Sequence, residues 1–232
     1  TCMKITWIEH SSFLLELPQR VLVLDYFGKT RLPLPANKPV TFLASHHHAD
    51  HYDKAILEHG TDQIWYVLSR DIFGPQDEHH IKVKPHQRYE LNGMIIETLK
   101  SNDEGVAFMI EVDGWRILHA GDLNDWHWEE ENDQDRQENE VLKRRFDREL
   151  ERVAGRTFDL AMIPTDPRLN DGYNRGLLGW AKACQLGWIA PMHTFGENGV
   201  IDRLLQDPAC AELRSRILDL RKGPQVLEDP QR

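Results

Sequence analysis

The chain has 232 residues, 40% of them hydrophobic and 28% charged, which fits one soluble α/β domain with a sizeable core. Its 28 basic and 38 acidic residues give a formal net charge of −10, which argues against a nucleic-acid partner, because a polyanion needs a basic surface. No apolar run approaches a membrane span, the first residues hold no signal-peptide core, and three scattered cysteines make no disulfide framework, so a cytoplasmic protein is expected.

Short apolar runs at Met3–Ile8, Phe13–Leu17 and Val21–Leu24 predict strands, with Pro18-Gln19-Arg20 as a turn. Arg31–Pro39 is proline-rich and reads as a loop. Val40–Ala44 is another apolar run, and the stretch behind it is the most informative in the chain: Ser45-His46-His47-His48-Ala49-Asp50-His51-Tyr52-Asp53. His46, His48, Asp50 and His51 are ligand types for zinc, manganese or iron(II), placed on a loop that leaves a strand end. A solvated loop seldom gathers four such side chains. His46 and His48 cannot crowd onto the cation that Asp50 and His51 reach, so two neighbouring cations sharing a water is the natural geometry.

Strands are next expected at Ile64–Leu68, Met94–Leu99, Val106–Val112 and Trp115–Leu118, with Asp113-Gly114 as a hairpin turn. His79, His80 and His86 lack ligand spacing and read as surface residues. From about 124 to 155 the texture becomes acidic and charged. Leu142, Phe146, Leu150 and Val153 recur there at helical spacing, which predicts a loop followed by an amphipathic helix. Asp159–Ile163 and Trp188–Ala190 read as strands. Three helices are expected around Leu177–Cys184, Val200–Leu205 and Cys210–Leu220. Elements alone give α/β or α+β.

The pattern His46-x-His48-x-Asp50-His51 resembles the signature of the metallo-β-lactamase superfamily. Further landmarks follow in that family's order: Val21-Leu22-Val23-Leu24-Asp25, His119-Ala120-Gly121-Asp122 and Pro191-Met192-His193. The opening Ile5-Thr6-Trp7-Ile8-Glu9-His10-Ser11-Ser12-Phe13 is similar to the branch that holds L-ascorbate-6-phosphate lactonase. The resemblance implies an αββα sandwich over one domain spanning 1–232, with the charged loop and helix at about 124–155 as an insert. It implies one or two divalent metals per chain, with zinc favoured and manganese, iron or nickel as alternatives. His46 and His48 would hold one metal, Asp50, His51 and His193 the other, and Asp122 would bridge. Two adjacent cations acidify a shared water and give hydroxide at neutral pH. Asp50 would orient it and pass a proton to the leaving group. Asp25 would fix the ligand loop from behind.

The sequence departs from the family at one point. A later-loop histidine is expected between Thr98 and Gly105, and that stretch, Thr98-Leu99-Lys100-Ser101-Asn102-Asp103-Glu104-Gly105, holds none. Asp103 is the first candidate for a substitute ligand and Glu104 the second; a plain solvated turn or a solvent-derived ligand is the alternative. His10, after the first strand, is a candidate catalytic residue. His119 reads as a strand-end anchor and His47 as solvent-facing. Trp126, His127 and Trp128 belong to Asn124-Asp125-Trp126-His127-Trp128, the stretch behind Asp122, so they are candidates for substrate contact, as are Arg168 and Tyr173.

The expected function is a metal-dependent hydrolase acting on a small lactone, ester, amide or phosphoester. A nuclease or phosphodiesterase of the same fold is disfavoured by the acidic balance. A flavodiiron-type redox enzyme lacks room for a flavin module. A catalytically inactive metal-binding protein is disfavoured by the set Asp50, His51, Asp122 and His193.

Overall fold

The structure is a computed structural model that describes residues 1–28 and 32–228. Arg31, at the start of the expected proline-rich loop, lies outside the described residues.

Two β-sheets face each other. The first runs in the order β13-β1-β2-β3-β4-β5-β6, from β1 (Met3–Glu9), β2 (Ser12–Glu16), β3 (Val21–Leu24), β4 (Val40–Ala44), β5 (Ile64–Ser69), β6 (His80–Val83) and β13 (Gln225–Leu227). The second runs β12-β11-β10-β9-β8-β7, from β7 (Arg88–Leu91), β8 (Met94–Lys100), β9 (Val106–Val112), β10 (Trp115–His119), β11 (Thr157–Pro164) and β12 (Gln185–Met192). β3 to β6 pair in parallel, as do β10, β11 and β12, while the hairpins pair antiparallel.

Burial explains the reading of the strands. All four residues of β3 are buried, because both faces of this strand are covered. Leu22 and Leu24 join Phe13, Leu15 and Leu43 in the central core, which continues into Ile96, Phe108, Ile110 and Ile117 of the second sheet. Val21 and Val23 face outward with Phe42 and Tyr66, under Ile56 of a 3-10 turn, Lys54–His59. The second sheet's outer side carries α1 (Asp133–Val153) and α2 (Arg175–Ala183), where Trp180 meets Phe146 and Phe158 edge to face. α3 (Val200–Gln206) follows β12. The αββα arrangement is thus present, as a mixed α/β sandwich.

α1 begins before its apolar stripe. Asn132 accepts bonds from Gln134 N–H and Asp135 N–H, and Asp133 and Asp135 sit in the positive first turn. Capping therefore recruits a polar segment that periodicity alone leaves as loop.

Two expectations need correction. Cys210–Leu220 is no helix. It forms three short 3-10 turns, because the Asp207 and Asp219 carboxylates accept from Ala209 N–H and Arg221 N–H and close local turns instead. Between those turns, Leu218 N–H donates to Ile189 O and lays the chain along β12. The second correction concerns His80, while His86 is exposed as expected and His79 half-buried. His80 belongs to β6 and is buried, its ring flat against Tyr66 at 4.8 Å; His79 stacks on Trp65, and His86 meets Glu149 of α1 at 2.9 Å. Beyond these two, β6, β7 and β13 are strands that composition does not announce. They lie at or near sheet edges, where alternation with polar residues hides them.

Candidate metal centre

Strand ends assemble the site. His10 follows β1, Asp25 follows β3, residues 46–51 follow β4, Asp103 follows β8, Asp122 follows β10 and His193 follows β12. At four of these exits the chain turns through positive φ: His10 at 50°, Asp25 at 45°, Gly121 at 52° and His193 at 63°. Three of the four carry side chains, and each such residue costs about 1–3 kcal/mol. The strain concentrates where side chains must turn sharply toward one point.

That point is Asp122. His46 Nε2 lies 3.3 Å from its carboxylate, His51 Nε2 3.0 Å and His193 Nε2 3.1 Å. The far side of each ring is fixed. Ser45 Oγ lies 2.9 Å from His46 Nδ1, Asp25 Oδ2 is 2.6 Å from His51 Nδ1, and Asp166 Oδ2 is 2.9 Å from His193 Nδ1. Ser45 Oγ–H donates to Asp25 at 2.6 Å, so it accepts the proton of His46 Nδ1. All three rings thus carry their proton on Nδ1 and aim an Nε2 lone pair inward, a tautomer set assigned from these bonds.

The consequence is a cluster of unsatisfied acceptors. Nε2 of His46, His51 and His193 and Oδ1 of Asp122 are buried with no hydrogen-bond partner. Their short mutual distances lack hydrogen-bond geometry. Leaving such groups buried costs about 1–3 kcal/mol each. A cation between them removes the cost, so the donor set fits a divalent metal. The electrostatics show that positive charge, a proton or a cation, is favoured at this point. Burial pushes His51 and His193 down, but Asp122, helped by Asp25 and Asp166, holds both above the ordinary histidine value. Burial pushes Asp122 up, yet His51, His193 and His46 hold it well below the usual carboxylate range.

Two ligand groups share this centre. His46, His48, Asp103 and Asp122 each offer an atom within 4.8 Å of the others. His10, Asp50, His51 and His193 do the same. Asp103 Oδ2 lies 4.0 Å from His48 Nδ1, and burial with the facing Asp122 carboxylate raises its pKa. Two facing carboxylates call for a positive charge between them. Glu104 sits instead in an exposed group with His47 and Asp71.

His10 differs from the other histidines. Phe195 N–H donates to its Nδ1 at 3.3 Å, which leaves the proton on Nε2, 3.0 Å from Asp50 Oδ2. In this tautomer His10 orients Asp50 rather than offering a lone pair. Burial keeps the ring's pKa low, against the pull of Asp50. His119 donates from Nε2 to Ser11 O in the core and takes no part in the cluster.

The candidate substrate contacts divide. Trp126 donates from Nε1 to Asp122 O at 2.8 Å, meets the His193 ring at 5.4 Å, and stacks on Trp128. Arg168 lies at the rim, paired with Asp166. The structure does not bring His127 to the cluster: its Nε2 lies 3.8 Å from Glu130 on the solvent side. Tyr173 is a clear correction. Its ring is buried in the core under Arg203, and its hydroxyl donates to Asp207 at 2.7 Å.

Sequence reasoning missed Asp166 as a support for His193 and Phe195 as a wall. Asp166 ends a strand, as Asp25 and Asp122 do, and that shared placement was the available signal. Phe195 stands in the left-handed region (φ 49°) with its ring 4.3 Å from His10 and 5.1 Å from His193. Beside it a cavity of about 560 Å³ opens, walled by Trp7, Phe27, His10, Asp50 and Phe195.

The family description "Beta-lactamase superfamily domain" matches residues 4–142, a span that holds His10, the 46–51 motif, Asp103 and Asp122. The chain belongs to this superfamily. Solved structures of the same fold include Igni18, a metallo hydrolase from the hyperthermophilic archaeon Ignicoccus hospitalis, at 16% identity and TM-score 0.63, covering 98% of this chain and 99% of that one. A structure described as a metal-dependent hydrolase from Parabacteroides distasonis aligns at 16% identity and TM-score 0.61, over 93% of this chain and 91% of that one. CmlA, a diiron β-hydroxylase from Streptomyces venezuelae, aligns at 10% identity and TM-score 0.50, over 82% of this chain and 44% of that one. No curated protein matches the chain. At these identities the likeness concerns the fold, and the superfamily's fold hosts both hydrolytic and oxidative chemistry.

Proposed function

We propose that the protein is a metal-dependent hydrolase of small molecules. The observation that carries this reading is the set of three buried, outwardly fixed histidines whose unpartnered Nε2 atoms converge on Asp122. His46, His48 and Asp103 would hold one divalent cation, Asp50, His51 and His193 a second, with Asp122 between them. Bound there, a divalent cation supplies Lewis acidity toward a carbonyl or phosphoryl oxygen and acidifies water. The imidazole-rich set favours zinc; manganese, iron and nickel accept the same ligands.

The chain's own groups supply the rest. Asp50 is one-third open to the solvent, and His10 holds one of its oxygens. Burial would raise its pKa, but His10 and His51 keep the carboxylate ionised. It is therefore placed to take a proton from an attacking water and release it to a leaving group. Trp126 and Phe195 shield the inner side, where the histidines are buried.

The substrate we propose is a compact lactone, ester, amide or phosphoester. The cavity beside Asp50 and His10 suits a small molecule in size. The opening segment Ile5–Phe13 supports a lactonase-like reading. No described helix is long and apolar enough to cross a membrane, and we infer a cytoplasmic enzyme without a nucleic-acid partner. Turnover of a lactone and phosphoester panel, beside RNA and DNA oligomers, tests the reading with a chelator control. Chelator-sensitive turnover of a small molecule is expected. Cleavage of the oligomers alone would replace it with a nuclease, and metal binding without any turnover with an inactive binding protein.

A further inference from the structure

Arg168 is the cation at the rim whose surroundings are built. Its Nε donates to both oxygens of Asp166, at 3.0 and 3.1 Å, and its Nη2 donates to Oδ2 at 2.7 Å. Asp166 is fully buried and also accepts from His193 Nδ1. The guanidinium lies 4.1 Å from the Phe195 ring centre and 5.2 Å from that of Trp128. These two aromatics are among the few large apolar side chains left exposed, at 45% and 38%. Phe195 contacts His10 and His193, and Trp128 stacks on Trp126, which contacts His193. The planar cation is therefore fixed beside the centre on three sides.

One edge remains. Nη1, with two N–H donors, has no partner among the described residues, and the side chain is 45% exposed. Arg221, the cation that lines the cavity beside Asp50 among the described residues, is committed, bonding both Asp202 and Asp219. The Arg168 charge is felt as far as Asp122 and Asp50.

We propose that Arg168 Nη1, clasped between Phe195 and Trp128, binds a carboxylate or phosphate group of the substrate while the scissile group lies at the Asp122 centre. Fixing the fork beforehand lowers the ordering cost of binding, and the aromatic faces reduce competition from water. The inference rests on the hydrolase reading and adds the substrate's charge: a small anion with its acid group beside, not within, the bond that is cut.

The test uses metal-anchoring probes with and without the acid. The monohydroxamates of malonic, succinic and glutaric acid are titrated into the zinc-loaded protein, beside their terminal amides. At one chain length the acid binds more tightly than the amide by about tenfold or more, the scale of a charge-assisted hydrogen bond. Arg168→Gln removes that difference and leaves the amide's affinity within about twofold, the range expected of an uninvolved contact. Arg168→Lys, which keeps a cation, retains part of it. A preference that survives in Arg168→Gln belongs to the metals and overturns the proposal. An equal loss for acid and amide makes Arg168 a support for Asp166 only, which also overturns it. Equal wild-type affinity for acid and amide overturns the clasp and leaves the hydrolase reading standing. Failure of every hydroxamate to bind strikes the metal centre itself.

Discussion

Histidine orientation sets the chemistry of this site at the level of single atoms. Asp25 accepts from Ser45 N–H, Ser45 Oγ–H and His51 Nδ1–H, so one buried carboxylate organises two of the inward-facing rings. Asp25→Asn keeps the volume but loses an acceptor and the charge. It should weaken metal affinity about 10–100-fold with the fold intact, as removal of such supporting partners does; calorimetric titration checks this. The two ligand groups are unequal, because one uses the half-exposed His48 and Asp103 and the other buried His51 and His193. Metal titration should show a tight and a weaker event, and Asp103→Ala should diminish the weaker one alone. Cysteine reactivity offers a check away from the centre. Cys2 is exposed, whereas Cys184 and Cys210 are buried, and burial pushes the Cys184 thiol up to about 11. The raised value keeps it protonated, hence unreactive, at pH 8 and leaves reactivity to emerge only as pH nears 11. A disulfide reagent at pH 8 should find one fast thiol in the native protein and three after denaturation.

At the level of elements, close contact between loops fixes the ligands. Gly105 adopts φ 70°, and a Cβ there would fall 1.9 Å from Ser45 O and 2.6 Å from His46 Cβ. Val106 N–H donates to that same Ser45 O. Gly105→Ala should therefore displace the His46 loop, lower stability by about 2 kcal/mol or more, and reduce metal uptake; thermal melts and metal analysis report the two effects. Buried strands were legible in the sequence because runs such as Val40–Ala44 and Val21–Leu24 are apolar on both faces. So was the histidine motif, whose residue types have few other uses together. The turn at 101–105 was legible as a departure, but which acid faces the centre depends on its folded path: Asp103 turns toward Asp122 and Glu104 away. Tyr173 was misplaced because nearness in sequence to Arg168 says nothing about the kink at Asn170, where φ is 53° and ψ −122°. The 3-10 turns after Asp207 escaped for a similar reason, since a stripe of buried residues fits either a helix or a run of turns.

For the whole molecule, charge and metal content decide behaviour. The net charge of −10 should repel nucleic acid, more strongly at low salt where screening is weaker. Metal removal should matter to stability, because the centre leaves acceptors from both sheets facing one another; a ligand at 100 times its Kd adds about 2.7 kcal/mol. Chelation should lower the melting temperature and zinc should restore it. The most direct test is zinc titration of the chelator-treated protein by calorimetry and elemental analysis, for wild type and Asp122→Asn together. Uptake of one or two cations by the wild type, with a marked loss of affinity in Asp122→Asn, is the predicted result. No uptake by the folded wild type, or equal affinity in both proteins, would contradict a metal centre built around Asp122.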